Sequence, residues 1–466
     1  MACGPWVTAV GGLEDRQTTL APVATPHSVN ERLPPLRLLT LAVQHVLTMY
    51  AGAVTVPLVV SSGLHLAADQ TAYLISSDLV ACGIVTLIQC IGIGVIGIRL
   101  PVMMGVTFVS VGPSIAIASN PGLGLPGVFG ATIVSGLIGL AIAPWFSRLS
   151  RLFAPVVTGT AMLLIGVSLM GVAVNWVSGS GAGNAPSELW GVAIAVFVIL
   201  VILGVTRFAK GFLANTAVLL GIVAGCAAAG AMGRIDLGAV SQAGWFSLIS
   251  PLHFGLPRFD LLAAASMTIV MLITMVESSG MLFALGRIVD KPLTSDDLAR
   301  GLRADALGAA VGGFFNSLPY TSYSQNVAIV AMTGVRSRFV CAAAGVILIL
   351  LGTLPKLSFL VTAIPQPVLG GAALVMFGMV AANGVQALGQ SDLHNKKNLY
   401  VVAVSLGVGL IPVADGRFFD SFPATAATFL HNGVMLGIVT AVLLNLVLNR
   451  SVAADGPGAP NPADPT

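Results

Sequence analysis

Apolar stretches as long as a membrane is thick recur along almost the whole of this chain, and a soluble domain cannot bury so many. About 20 apolar residues in helical form cross a hydrocarbon core of about 30 Å. Stretches of that kind lie at 36–60, 72–98, 122–143, 153–174, 188–206, 213–232, 259–285, 337–354, 366–387, 398–413 and 427–449. Three more, at 101–119, 303–316 and 319–335, are too short or too broken to cross as plain helices. Together they predict an all-α integral membrane fold of 14 segments. Only 8% of the residues are charged, against about 25% in soluble domains, and the mean hydropathy is +0.95. Lipid is therefore the expected solvent.

The basic residues test this division. With the N-terminus placed in the cytoplasm, 17 of the 21 lysines and arginines fall on the cytoplasmic side and 4 (Arg234, Arg258, Lys356 and Arg417) on the other. That is the bias of the positive-inside rule, and it puts both termini on the cytoplasmic side of a cell (plasma or inner) membrane. Residues 1–33 and 451–466 are polar, and the first stretch lacks the order of a cleaved signal peptide. Both are expected to be disordered cytoplasmic tails flanking a transporter-sized unit at 34–450. A net charge of +3 gives no reason to expect nucleic acid. The five cysteines (Cys3, Cys82, Cys90, Cys226 and Cys341) lack metal-ligand spacing, and four of them read as small core residues.

The third and tenth segments open alike, on Leu100-Pro101 and Leu318-Pro319. Proline removes a backbone donor and disfavours helix before it. Each segment then runs through a short stretch with Gly, Thr or Ser before becoming helix-compatible. Irregular backbone is tolerated at membrane depth only where protein buries it or water reaches it. Matching broken segments seven apart point to two inverted repeats of seven, with short extended stretches and half-helices meeting at a binding site. A pair of unrelated proline kinks is the other reading.

Ionisable residues inside the apolar segments are costly and mark function. Glu277, within MLITMVESSG at 271–280, must pair, be hydrated or keep its proton. It either hydrogen-bonds a polar ligand and carries a proton or caps a broken helix. Gln325 and Asn326 stand where the tenth segment turns helical, so their amides and the free N–H groups of a half-helix could bind a polar ligand. Capping by Asn326 or Ser324 is compatible with that. Phe108, at the equivalent break in the third segment, either stacks on a planar ring or packs. His45, beside Gln44, orients neighbours or relays protons. Asp305 is a proton carrier, an anchor for its segment or a partner of Arg303. Asp78 and Thr333 read as local hydrogen-bonders.

The stretch QNVAIVAMTG from Gln325 to Gly334 resembles the signature of the nucleobase–ascorbate transporter family: Gln or Glu, Asn, any residue, Gly, four variable, Thr, then Arg, Lys or Gly. Ala328 replaces the glycine, a small-for-small departure. Gln44-His45, Thr107-Phe108, Glu277 to Gly280 and the run from Arg303 to Gln325 resemble the family in the same order, over roughly 34–450. The resemblance implies a core (34–150 and 259–354) that holds substrate and a gate (151–258 and 355–450) through which such proteins form homodimers. Transport is then an elevator-type movement of core against gate. It also implies that Glu277 and Gln325 hydrogen-bond the edge of a nucleobase and Phe108 stacks on its face. Backbone near Thr107 and Ser324 completes the site, Asn326 and His45 shape it, and Glu277 and Asp305 couple protons. The expected partners are a purine base, a proton and the lipid bilayer, with no cofactor and no metal.

Gln325 resembles the purine-handling branch, since uracil-type members tend to carry Glu there. Met281 stands where xanthine-type members often have an acid. Ser324, Val327 and Met281 look urate-like, whereas Gly334 looks xanthine-like. Urate is an anion at neutral pH, and half-helix N-termini favour negative charge. Urate is the expected substrate, with xanthine as a second. The alternatives are a xanthine-only or uracil permease of the same fold and, further off, an anion channel or a membrane-embedded enzyme. For an enzyme, the six histidines show no ligand spacing and no catalytic nucleophile–base pair stands out. For a channel, no filter-like repeat is present.

Overall fold

The computed structural model describes residues 28–146, 154–178, 189–422, 430 and 432–449. The expected tails at 1–27 and 451–466 lie outside the described residues. Residues 28–33, the rest of the first expected tail, are held in place. Arg338 N–H donates to the Val29 carbonyl, Ser337 Oγ donates to that of Glu31, and Leu33 is buried against Val335 and Val340.

The longer helices in the first half are α1 (Pro35–Gly63), α2 (Ala68–Ile91), α3 (Val111–Ala118), α4 (Gly124–Ile142), α5 (Pro155–Ser178), α6 (Leu189–Phe208) and α7 (Ala217–Ala231). The second half holds α8 (Leu261–Ile288), α9 (Ser295–Phe314), α10 (Ser324–Thr333), α11 (Arg338–Gly352), α12 (Gln366–Leu388), α13 (Lys396–Ala414) and α14 (Gly433–Leu448). Among the described residues, 8 helices are long and apolar enough to cross a membrane. The number is 9 if α11 and the short helix Pro355–Thr362, which meet at a 78° bend, form one span.

The ninth segment corrects the sequence reading. Expected at 303–316 and too short to cross, it is an unbroken 20-residue helix, α9, that starts at Ser295. A capping box fixes its start, Thr294 accepting from Asp297 N–H while the Asp297 side chain accepts from Thr294. Its first turns carry Asp296, Asp297, Arg300 and Arg303, which depress the hydropathy there. The two arginines are spent on loop carbonyls, Arg300 donating to Gly94 and Arg303 to Val95.

Helices pack through small residues, as expected where lipid removes the hydrophobic drive between them. The most extensive pairings are α5 with α12, α2 with α11, α4 with α9 and α13 with α14. α6 and α7 also pack together. At the α4–α9 contact a Cβ on Gly136 would lie 2.5 Å from Ala310 N and 2.6 Å from the Ala306 carbonyl. Any larger residue there would force the backbones apart.

The two broken segments cross. β1 (Met104–Val106) and β2 (Tyr320–Ser322) pair antiparallel, Gly105 opposite Thr321, and all six residues are buried. Tyr323 N–H to the Met103 carbonyl and Thr107 N–H to that of Pro319 extend the ladder by one bond at each end. Helical backbone resumes at once, in the 3-10 turn Phe108–Ser110 leading into α3 and in α10 from Ser324. What the short ladder leaves unpaired, α2 supplies from its side chains. Thr86 Oγ1 accepts from Met104 N–H, the Cys82 and Cys90 thiols donate to the carbonyls of Met104 and Val102, and Gln89 Oε1 accepts from Ile98 N–H. Asp78 accepts from Ser317 Oγ at 2.7 Å and Tyr320 Oη at 2.9 Å, anchoring the entry to β2. Extended backbone is thus kept satisfied inside protein, the condition for its presence in a membrane.

Candidate functional site

A cavity of about 70 Å³ lies beside the strand crossing. Both broken segments line it, with Val106, Thr107, Phe108 and Val109 from the first and Thr321 to Gln325 from the second. Glu277 joins them from α8. Its place is set by the next residue, since Ser278 Oγ accepts from Ser322 N–H at 3.1 Å and lies 3.2 Å from Thr321 Oγ1. That pair of contacts stitches α8 to β2 and turns Glu277 to the cavity. Four more lining residues come from plain helices, Met162 and Ile165 from α5 and Val380 and Asn383 from α12.

The polar groups here are open to a ligand. Among the described residues Glu277 makes no hydrogen bond or ion pair. The Gln325 side chain is exposed to the cavity, and its amide oxygen receives one 3.4 Å hydrogen bond, from Ser324 Oγ. Phe108 is half-buried and held edge-on to Phe377 of α12, with ring centroids 5.9 Å apart at 80°. Thr107 is buried and occupied locally, its Oγ1 capping Val109 N–H at 3.3 Å, so it meets the cavity as backbone and cap. The first N–H groups of α10 have no carbonyl a turn earlier to bond, which leaves positive potential at this wall. A flat polar molecule could take hydrogen bonds from both sides of one edge and rest its face on Phe108.

Other residues singled out in the sequence stand further back. Asn326 is buried with its amide turned away, Nδ2 donating to the His45 carbonyl at 3.0 Å and to His45 Nδ1 at 3.1 Å. An Nδ1 that accepts leaves the proton of a neutral imidazole on Nε2. This pair ties α1 to α10. Asp305 is fully buried on α9, with Oδ1 accepting from Gln89 Nε2 at 3.4 Å and Oδ2 unpartnered among the described residues. Gln44 is half-buried and contributes its carbonyl to Thr48 Oγ1. Met281 packs half-buried against the core, and Thr333 closes the end of α10 by donating to Ile329 O and accepting from Val335 N–H. None of these six lines the cavity.

Sequence reasoning missed the four residues from α5 and α12, whose helices carry no break and no charge near them. Asn383 did leave a trace, as an isolated amide in the apolar stretch 366–387. Among the described residues, no cluster of three or more His, Cys, Asp or Glu could hold a metal ion.

Residues 36–417 match the Xan_ur_permease model, described as a permease family. The chain is 49% identical over 427 residues to the uric acid transporter UacT of Escherichia coli (strain K12), covering 90% of this chain and 88% of the relative. It is 41% identical to two proteins of Bacillus subtilis (strain 168). The uric acid permease PucJ matches over 88% of this chain and 92% of its own length, and a xanthine permease over 88% and 93%. Two solved structures share the fold at low identity. The transmembrane domain of the cyanobacterial bicarbonate transporter BicA aligns with a TM-score of 0.54 at 15% identity, over 89% of this chain and 98% of that one. Murine Slc26a9, an anion transporter captured facing inward, aligns with a TM-score of 0.57 at 14% identity, over 96% and 77%. The family and these relatives are permeases or transporters, so the chain is a multi-pass membrane transporter and not an enzyme. It belongs to the nucleobase–ascorbate transporter family.

Proposed function

We propose that this chain is a proton-coupled permease that takes up urate, with xanthine as a second substrate. The observation that carries the reading is the meeting of Glu277, Gln325 and Phe108 at one cavity with the polar groups of the first two left for a ligand. A carboxyl and an amide lining one cavity complement the alternating C=O and N–H groups of an oxidised purine edge. A half-buried carboxyl with no basic partner among the described residues is suited to take up and release a proton with each cycle. Relatives named as uric acid transporters or permeases support the choice of urate. So does Met281 in place of an acid, which spares an anionic ligand repulsion. A xanthine-only permease is the second reading, because the Bacillus xanthine permease is as similar, at 41%, as PucJ.

In this proposal α1–α4 and α8–α11 form the core and α5–α7 with α12–α14 the gate. The 14 segments form two inverted sevens with both termini cytoplasmic, in the plasma or inner membrane. The core carries the base past the gate. The apolar, largely exposed faces of α6 and α13 leave surface for lipid and for a second copy. The test is uptake of labelled urate by transport-deficient cells expressing the chain, with unlabelled urate, xanthine, hypoxanthine, uracil and ascorbate as competitors, with and without a protonophore. Urate should accumulate, xanthine should compete, and the protonophore should abolish accumulation. Uptake of xanthine without urate would favour the second reading. Accumulation that survives the protonophore and follows sodium would remove the proton.

A further inference from the structure

The gate wall of the cavity is built from Met162, Ile165, Val380 and Asn383, so Asn383 alone offers it hydrogen bonds. Its amide is half-buried and makes no hydrogen bond among the described residues. The two helices behind this wall are also tightly packed. α5 and α12 cross so closely that a Cβ on Gly159 would lie 2.8 Å from Leu388 N, and one on Gly166 2.5 Å from Ala381 N. Gly384, next to Asn383, abuts the backbone of Leu163 in the same way. The backbone at Asn383 therefore cannot shift without parting two helices, which keeps its side chain on the wall of the cavity that Glu277 and Gln325 also line.

Building on the functional reading above, we propose that Asn383 is a specificity-determining contact on the gate. It hydrogen-bonds the edge of the purine opposite the one held by Glu277 and Gln325. The six-membered ring of an oxidised purine carries the alternating C=O and N–H groups that the carboxyl–amide pair complements. Its five-membered ring then faces the gate. Urate and xanthine differ there, urate having an oxo group on C8 where xanthine has a hydrogen. Against Met162, Ile165 and Val380 alone that oxygen would lose its water without replacement, and an unpaired buried polar group is strongly disfavoured. The Asn383 amide donates to it. Since the core bears the other contacts, this bond exists only where core and gate are aligned, so it selects among ligands during the cycle.

The experiment is uptake kinetics for the unaltered chain, Asn383→Ala and Asn383→Gln, with the amount of each in the membrane measured. Asn383→Ala should raise the urate KM about tenfold, the worth of one hydrogen bond away from water, and change the xanthine inhibition constant much less. Asn383→Gln should recover part of the loss. In a second assay the Asn383→Cys thiol should react with a small membrane-permeant methanethiosulfonate, and saturating urate should protect it. An unchanged urate KM in Asn383→Ala, equal losses for urate and xanthine, or absence of protection would overturn the assignment. No purine uptake by the unaltered chain would overturn the functional reading itself, a distinct result.

Discussion

Gly105 is the position at which one added methyl group should do most damage to the site. It lies in β1 opposite Thr321, and a Cβ there would fall inside the Tyr323 ring, contacting Cε2 and lying 2.6 Å from Cδ2 and from Cζ. The ring cannot yield cheaply. Tyr323 is 5% exposed, its hydroxyl donates to the Val106 carbonyl at 3.3 Å, and its other side meets Gly52, where a Cβ would lie 3.0 Å from Cε1. Overpacking of this kind costs about 1–3 kcal/mol, and losing the hydroxyl bond adds about 1 kcal/mol. Gly105→Ala should therefore destabilise the protein by about 2–4 kcal/mol. Because Tyr323 immediately precedes Ser324 and Gln325, the displaced ring should also shift the start of α10 and raise the substrate KM. The assay is the thermal midpoint of the detergent-solubilised protein, followed by size-exclusion chromatography, beside uptake in cells. Adding Tyr323→Leu to Gly105→Ala should recover stability relative to Gly105→Ala alone, since the methyl then has room. A Gly105→Ala protein with the parental midpoint and KM would refute the packing argument.

Three further outcomes are expected. Glu277→Gln should abolish accumulation of labelled urate while leaving the protein in the membrane at the parental level, and normal uptake by that variant would remove Glu277 from the site. Met281→Asp should shift the competition profile from urate towards xanthine. Met281 packs behind the cavity wall and not on it, so the shift would come from the field of the added charge, and an unchanged profile would discard the argument from this position. Asp78→Ala should destabilise by about 2–4 kcal/mol, because two buried hydroxyls, Ser317 Oγ and Tyr320 Oη, lose their shared acceptor. Asp78→Asn keeps an acceptor oxygen and should cost less, which thermal midpoints of the two variants would check.

The broken segments were legible because Leu-Pro at membrane depth has few causes, and Glu277 because an acid in an apolar stretch has to be accounted for. What filled the breaks was not legible. A strand of three residues carries no periodicity, and its partner lies more than 200 residues away, so the pairing of Gly105 with Thr321 could not be read. The groups that satisfy the irregular backbone, Cys82, Thr86, Gln89 and Cys90, sit in a helix apolar enough to read as a simple span. The start of α9 was missed because hydropathy averages away the charged turns that a capping box organises. Asn383 was missed for a different reason. A lone amide on an uninterrupted helix gains meaning only from what stands across from it, and that is a property of the packing.

The bonding around the cavity also bears on how the site could move. On one side the links are strong and numerous in kind: a strand ladder, side-chain bonds from α2 to both strands' surroundings, Ser278 on β2, and Asn326 on His45. These elements cannot separate without stranding buried backbone groups, each at a cost of about 1–3 kcal/mol, so they hold together as one unit. Across the seam to α5, α12 and α14, apart from one conventional hydrogen bond, the described contacts are of another kind. Trp176 Nε1 donates to Ser62 Oγ at 2.8 Å, Thr55 and Ser266 point hydroxyls at the sulfurs of Met376 and Met435, and Phe108 rests edge-on to Phe377. A thioether is a weak acceptor, and an edge-to-face ring pair contributes about 0.5–1.5 kcal/mol. In the proposed cycle the strand crossing would move as a unit while contacts across this seam exchange, and the purine edge held by Glu277 and Gln325 would keep its partners as the edge facing Asn383 exchanged its own.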